Sequence, residues 1–106
     1  MLGGKDAVTA DFVKAIELYP GHNVYLHKAL AFRELGECAQ AIADLSRAIE
    51  LKADYAYAYL NRGMIYQSLG EKEKAKADYQ RTIDLDTNRS WNEQAREHLQ
   101  ALMENE

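Results

Sequence analysis

Few side chains in this chain could do covalent chemistry, and their spacing argues against it. Cys38 is the single thiol of 106 residues. It stands just inside the start of an amphipathic segment, where a helix dipole would lower a thiol pKa and make it a nucleophile. Lys5 and Lys72 fill the same slot in two related segments, which marks it as a tolerated, half-buried position. His22, His27 and His98 fit no HxxxH, HExxH or CxxC pattern, and His22 and His27 fall on different faces of one helix. They read as surface or helix-end residues. Asp11, Asp44 and Asp78 recur in register, each three residues before a base: Lys14, Arg47 and Arg81. That spacing predicts a solvated helix face with local ion pairs of small individual worth. Gly3-Gly4 belongs to a repeated turn and not to a phosphate loop. No nucleophile, base or metal set emerges, so no catalysis, no cofactor and no metal is expected.

A repeat positions these residues. Residues 2–18 read LGGKDAVTADFVKAIEL, 35–51 read LGECAQAIADLSRAIEL, and 69–85 read LGEKEKAKADYQRTIDL. Gly3, Gly36 and Gly70 mark the same place in each copy, at an almost constant interval. A fixed period of this length marks an array of stacked supersecondary units. Each of the three segments carries apolar residues at helical spacing (Ala41, Ile42, Leu45, Ala48 and Ile49 in the middle copy). Each glycine falls where one helix must stop and the next begin, the place for a left-handed C-terminal cap. Between the copies lie two further helices, over His22–Glu34 and Asp54–Ser68, with Asp54 as the predicted N-cap of the second. A last helix over Ser90–Glu104 opens on Ser90-x-x-Glu93, a capping box, and carries a narrow apolar stripe.

Bulk composition narrows the function classes. Hydrophobic residues are 47% and charged residues 28%, the balance of a globular chain. Length allows one small domain with a stability of roughly 5–10 kcal/mol. Seventeen acidic residues against 13 basic ones give a net charge of −4, and no Lys/Arg run exists, so nucleic acid is not an expected partner. No apolar stretch is long enough to insert in a membrane. A single cysteine allows no internal disulfide. A reducing, cytoplasmic setting follows.

The chain resembles the tetratricopeptide repeat family over nearly its whole length. Tyr25 and Tyr59 stand in the Trp position of the family pattern, Ala29 and Gly63 in the small position, and Phe32 and Tyr66 in the Tyr position. Ala41 and Ala75 match the first Ala of the second helix, and Phe12, Leu45 and Tyr79 its aromatic. Ala15, Ala48 and Thr82 match the second Ala. Only Pro20 keeps the proline; Ala53 and Thr87 replace it. The resemblance implies an all-α, right-handed α-α superhelix, a solenoid of about two and a half repeats plus a C-terminal capping helix. Residues 1–106 would form a single domain: 1–20 a lone second helix, 21–53 and 54–87 full repeats, 88–106 the cap. Small residues at Ala41, Gly63 and Ala75 would let helix axes approach to about 8–10 Å, so Gly63→Leu or Ala41→Leu should destabilise by ~1–3 kcal/mol.

The resemblance also implies a concave face lined by the first helix of each repeat, where ligands lie. Leu26, Leu30 and Arg33, with Asn23, would project there from one helix; Tyr57, Leu60, Asn61, Met64 and Gln67 from the next; and Trp91, with Gln94, from the last. Asn61 could bond a peptide backbone, and Tyr57, Met64 and Trp91 could supply apolar contact. The leucines could equally pack the core. One subclass of the family clamps acidic chaperone tails with Lys and Asn residues. Asn61-Arg62 matches part of that clamp, but Leu26, Leu30, Trp91 and Ala95 depart from the rest. The expected function is protein–protein interaction, a scaffold or adaptor with a peptide or helix in its groove. The alternative is self-assembly: Val8 and Phe12 of the first segment lack a covering helix, so either a longer array continues before them, or a partner covers them, or a second copy does so as a homodimer.

Overall fold

The computed structural model describes residues 21–85 and 87–104. These residues form five α-helices: α1 His22–Glu34, α2 Cys38–Leu51, α3 Ala56–Ser68, α4 Lys72–Leu85 and α5 Arg89–Glu104. No strand occurs among the described residues, and none of these helices is long and apolar enough to cross a membrane. The lone second helix predicted over residues 1–20 lies outside the described residues. The chain divides into two compact units between Ala53 and Asp54, where the sequence repeat also places a boundary.

In the first unit α1 packs on α2, and the turn between them is set by backbone chemistry. Gly36 has φ +79°, a conformation that costs a residue with a Cβ about 1 kcal/mol or more. Its N–H donates to the Arg33 carbonyl at 3.0 Å, and the Glu37 N–H donates to the Phe32 carbonyl at 2.9 Å. That pair of bonds is a Schellman motif, and it satisfies two carbonyls that the end of α1 would leave open. Gly70 repeats the device after α3, with φ +78° and bonds of 3.1 and 2.8 Å to Gln67 and Tyr66. Leu26, Ala29 and Phe32 of α1 and Ala41, Leu45 and Ala48 of α2 are buried.

In the second unit α4 packs against both α3 and α5. Its core joins Leu60, Ala75, Tyr79, Ala95 and Leu102, with Tyr57, Met64, Tyr66, Ile83, Trp91 and Leu99 packed against it. Tyr79 is wholly buried and lies against the backbone of Gly63. A Cβ built on Gly63 would stand 2.9 Å from Tyr79 Cε1, 3.0 Å from Cδ1 and 3.2 Å from the Asp78 Cβ. Gly63 therefore sits in the small position because a ring already fills the space beside it.

Two predicted caps differ from the structure. Helix α3 begins at Ala56, so Tyr55 and not Asp54 holds the N-cap position. Helix α5 begins one residue before Ser90. The Asn88 side-chain oxygen accepts the Trp91 N–H at 3.2 Å, while Glu93 pairs with Arg89 and Ser90 accepts from Gln94. Asn is as good a cap as Ser, and its place two residues earlier allows it to act first.

Candidate functional site

The charged residues depart most from the sequence reading. Asp44 and Asp78 are 5% exposed, not solvated. Each is held from the preceding helix. Lys28 Nζ lies 3.3 Å from Asp44 in the first unit. Arg62 grips Asp78 with two bonds in the second, Nε to Oδ2 at 2.9 Å and Nη2 to Oδ1 at 2.8 Å. The hydrogen bond to Asp78 is the main cause that raises the Arg62 pKa above its already high value. Arg62 also lies 5.5 Å from the Tyr59 ring centroid and 5.9 Å from that of Tyr66. Arg47 and Arg81, predicted to pair with the aspartates, do other work. Arg47 bonds Glu50 at 2.8 Å and sits 5.9 Å from the Tyr25 ring. Arg81 sits 5.8 Å from the Tyr59 ring. A buried carboxylate needs a partner that reaches it through the helix interface, and a base one turn along its own helix points outward. The signal was present in the sequence: Lys28 and Arg62 stand one period apart, and so do Asp44 and Asp78.

The positions expected to bind a partner separate by burial. On α1, Leu26 is 4% exposed, while Leu30 and Arg33 are half-buried and Asn23 is exposed. On α3, Leu60 and Asn61 are 1% and 2% exposed. The Asn61 amide Nδ2 donates to the Tyr57 carbonyl within its own helix, at 2.8 Å. Gln67 is half-buried, and its Oε1 accepts a hydrogen bond from the Tyr79 hydroxyl at 2.5 Å. Tyr57, Met64 and Trp91 are half-buried over the core of the second unit. The structure brings two of these together: the Tyr57 ring of α3 stacks on Trp91 of α5, with centroids 4.9 Å and planes 25° apart. Such a pair is worth ~0.5–1.5 kcal/mol beyond its burial and fixes both rings in place. Val8 and Phe12 lie outside the described residues.

Of the groups with chemical potential, Cys38 is half-buried and His27 is exposed. His98 stacks on Tyr79, with centroids 5.3 Å apart, so it is a packing residue that the sequence reading placed on the surface. Among the described residues no three His, Cys, Asp or Glu side chains gather where a metal could be held.

Comparison with known proteins agrees with this geometry. The TPR repeat family matches residues 29–70, and the tetratricopeptide repeat family matches residues 56–88. Together they span more than half of the chain. The chain belongs to the tetratricopeptide repeat family. Solved structures superpose on most of it. One is the first TPR of Spaghetti (RPAP3) bound to the HSP90 peptide SRMEEVD, 26% identical, with a TM-score of 0.80 over 94% of this chain and 77% of that one. Another is the Arabidopsis OM64 TPR domain, 28% identical, with a TM-score of 0.78 over 92% and 78%. A third is MamA, 34% identical, with a TM-score of 0.69 over 77% and 45%. No curated protein matches the sequence.

Proposed function

We propose that this tetratricopeptide repeat chain is a protein-interaction module that takes a peptide or short helix of a partner on the groove-side surface of its first helices. In the second unit that surface is carried by Tyr57 and Met64 of α3 and Trp91 of α5. The observation that carries the reading is the Tyr57–Trp91 stack. It holds two large aromatic side chains rigid and partly open, beside an adaptable methionine, which is the make-up of a binding hot spot. Recognition needs shape and a few anchors, with no bond-making step.

The ligand class differs from the acidic HSP90 peptide held by the Spaghetti domain. Leu26 and Leu30 stand on α1 where a chaperone-tail clamp needs polar and basic groups, and Arg62 is committed to Asp78. The net charge of −4 also opposes an acidic tail. An apolar or aromatic anchor is favoured instead.

Trp91 is the only tryptophan and reports directly on this surface. Peptides selected from a display library on the wild-type chain are titrated while Trp91 emission is followed, with SRMEEVD as a comparison. Selected peptides should shift the emission, carry an apolar anchor, and lose about tenfold or more in affinity on Tyr57→Ala, with SRMEEVD inert. Binders indifferent to Tyr57→Ala and Met64→Ala would place recognition elsewhere.

A further inference from the structure

Bases and rings alternate along the seam between α3 and α4. Lys74 Nζ lies 5.5 Å from the Tyr66 ring centroid, and the Arg62 guanidinium lies 5.9 Å from the same centroid. Arg62 is 5.5 Å from the Tyr59 ring, which Arg81 also approaches, to 5.8 Å. The order is therefore Lys74, Tyr66, Arg62, Tyr59, Arg81. Both rings are half-buried, and both end bases are exposed. One carboxylate stands in this row, and Asp78 is committed to Arg62 by two bonds. The other acids of α4 are engaged elsewhere: Glu73 pairs with Lys76, and Asp84 accepts from Gln80. Helix α3 carries no acid. Lys74 and Arg81 pair with no carboxylate among the described residues. Three bases against one acid leave the seam positive, in a chain of net charge −4.

The first unit shows that packing does not require this surplus. Arg47 lies over Tyr25 as Arg81 lies over Tyr59, but there Glu50 takes the base at 2.8 Å. Gln40 stands one period before Lys74 and bonds Asp44. The same helix pairing is thus built with Lys28 and Arg47 against Asp44 and Glu50, a neutral set.

We infer that the seam of the second unit docks an acidic segment of a partner protein, with its carboxylates on Lys74 and Arg81 and its backbone over Ala77. The two bases are seven residues apart on α4, about 10.5 Å along the helix axis. An extended segment covers that distance with acids three residues apart, at about 3.3 Å per residue. Ala77 lies between the bases on the same helix face, exposed and without a bulky side chain. Each end base rests over a ring, which limits the freedom a partner must remove from it. The net negative charge opposes an acid elsewhere on the chain, and this seam reverses it locally. Two open bases fall short of a nucleic-acid interface. The seam shares no residue with the Tyr57, Met64 and Trp91 surface, so the inference stands or falls separately from it.

The test is a titration of the isotopically labelled full chain at low salt, with backbone amide shifts as the readout. The probe is an unstructured peptide of glycine and serine with a glutamate at every third position. Its lysine counterpart, inorganic phosphate and a single-stranded oligonucleotide are titrated for comparison. The glutamate peptide should shift the amides of residues 74–81, saturate below about 5 mM, and leave the Trp91 indole signal in place. Lys74→Gln and Arg81→Gln should each weaken it about threefold and the double variant about tenfold, because exposed ion pairs are individually small. Arg96→Gln removes an exposed base from α5 and should leave affinity unchanged. Helical circular dichroism verifies the fold of each variant. Ala77→Glu tests the seam without removing a base: it sets an acid between Lys74 and Arg81 and should abolish binding. No shift up to about 5 mM peptide, or shifts confined to other residues, overturns the inference. So does an equal response to phosphate or to the lysine peptide, tighter binding of the oligonucleotide at the same amides, or binding that survives both the double variant and Ala77→Glu.

Discussion

Replacing Asp78 with alanine should be among the most damaging single changes in the second unit. The substitution removes the two Asp78 oxygens that accept from Arg62, in bonds of 2.9 and 2.8 Å, and takes the carboxylate away from a guanidinium whose side chain is only 20% exposed. Breaking a buried pair by deleting one partner costs ~3–5 kcal/mol. The fifth of Arg62 that reaches solvent, and its contacts with Tyr59 and Tyr66, lower the figure here to about 2–4 kcal/mol. Asp44→Ala gives an internal comparison. Its partner Lys28 makes a single ion-pair contact at 3.3 Å and also lies 5.8 Å from the Phe32 ring centroid, and lysine can move its ammonium to water on a flexible stem, so about 1–2 kcal/mol is expected. The assay is urea unfolding followed by helical circular dichroism for wild type, Asp78→Ala, Arg62→Met and the double variant. Removing both charges leaves nothing unpaired, so the double variant should recover about 1.5 kcal/mol or more relative to the sum of the singles. A loss under about 0.5 kcal/mol for Asp78→Ala would class the pair with exposed salt bridges. Additive singles would refute the coupling itself.

Other outcomes follow from the same unit. Gly63→Ala should lose about 1 kcal/mol, because the helix-propensity gain of about 1 kcal/mol is outweighed by a Cβ at 2.9 Å from a fully buried Tyr79 ring; Gly63→Leu should lose about 3 kcal/mol, and an unchanged thermal melt for either would contradict the packing. The Tyr79 phenol is pushed up to about 12, chiefly by burial and secondarily by the Asp78 charge. An acid whose folded pKa is raised stays neutral in the fold while the unfolded chain ionises, so its contribution is intact below about pH 10 and declines as pH rises toward 12, by about 1–2 kcal/mol. The stability difference between wild type and Tyr79→Phe should therefore shrink across that window in urea midpoints, and a constant difference would show that the phenol ionises alike in both states. The Trp91 titration completes the set.

Helix existence and pairing were legible because they depend on local chemistry. Apolar spacing gave the helix faces, and the Leu-Gly pairs gave two turns whose left-handed glycines the structure contains. Helix α1 has its predicted bounds, and α3 and α5 shift by one or two residues at their starts. Those shifts come from caps, where two neighbouring polar residues compete and only backbone geometry decides between them. The depth of α3 side chains was harder to read. Tyr57, Leu60, Asn61 and Met64 share spacing of three and four, yet Leu60 and Asn61 are buried while Tyr57 and Met64 stay half-open. A helix gripped on two sides has a buried arc wider than an amphipathic pattern shows, and an asparagine can enter it because its amide bonds its own backbone at 2.8 Å.

The carboxylates show why spacing within one helix is a poor guide to charge. Asp44 with Arg47, and Asp78 with Arg81, satisfy the rule for neighbours on a helix surface, and in neither case do those two residues pair. The rule assumes both side chains are on the wet side. A repeat supplies a second rule that does not: a residue is placed as its counterparts one period away are placed. By that rule Lys28 and Arg62 belong together, Asp44 and Asp78 belong together, and each base stands one helix before its acid. If the buried pair contributes specificity at the helix interface more than stability, a charge-free double variant of Arg62 and Asp78 keeps its fold.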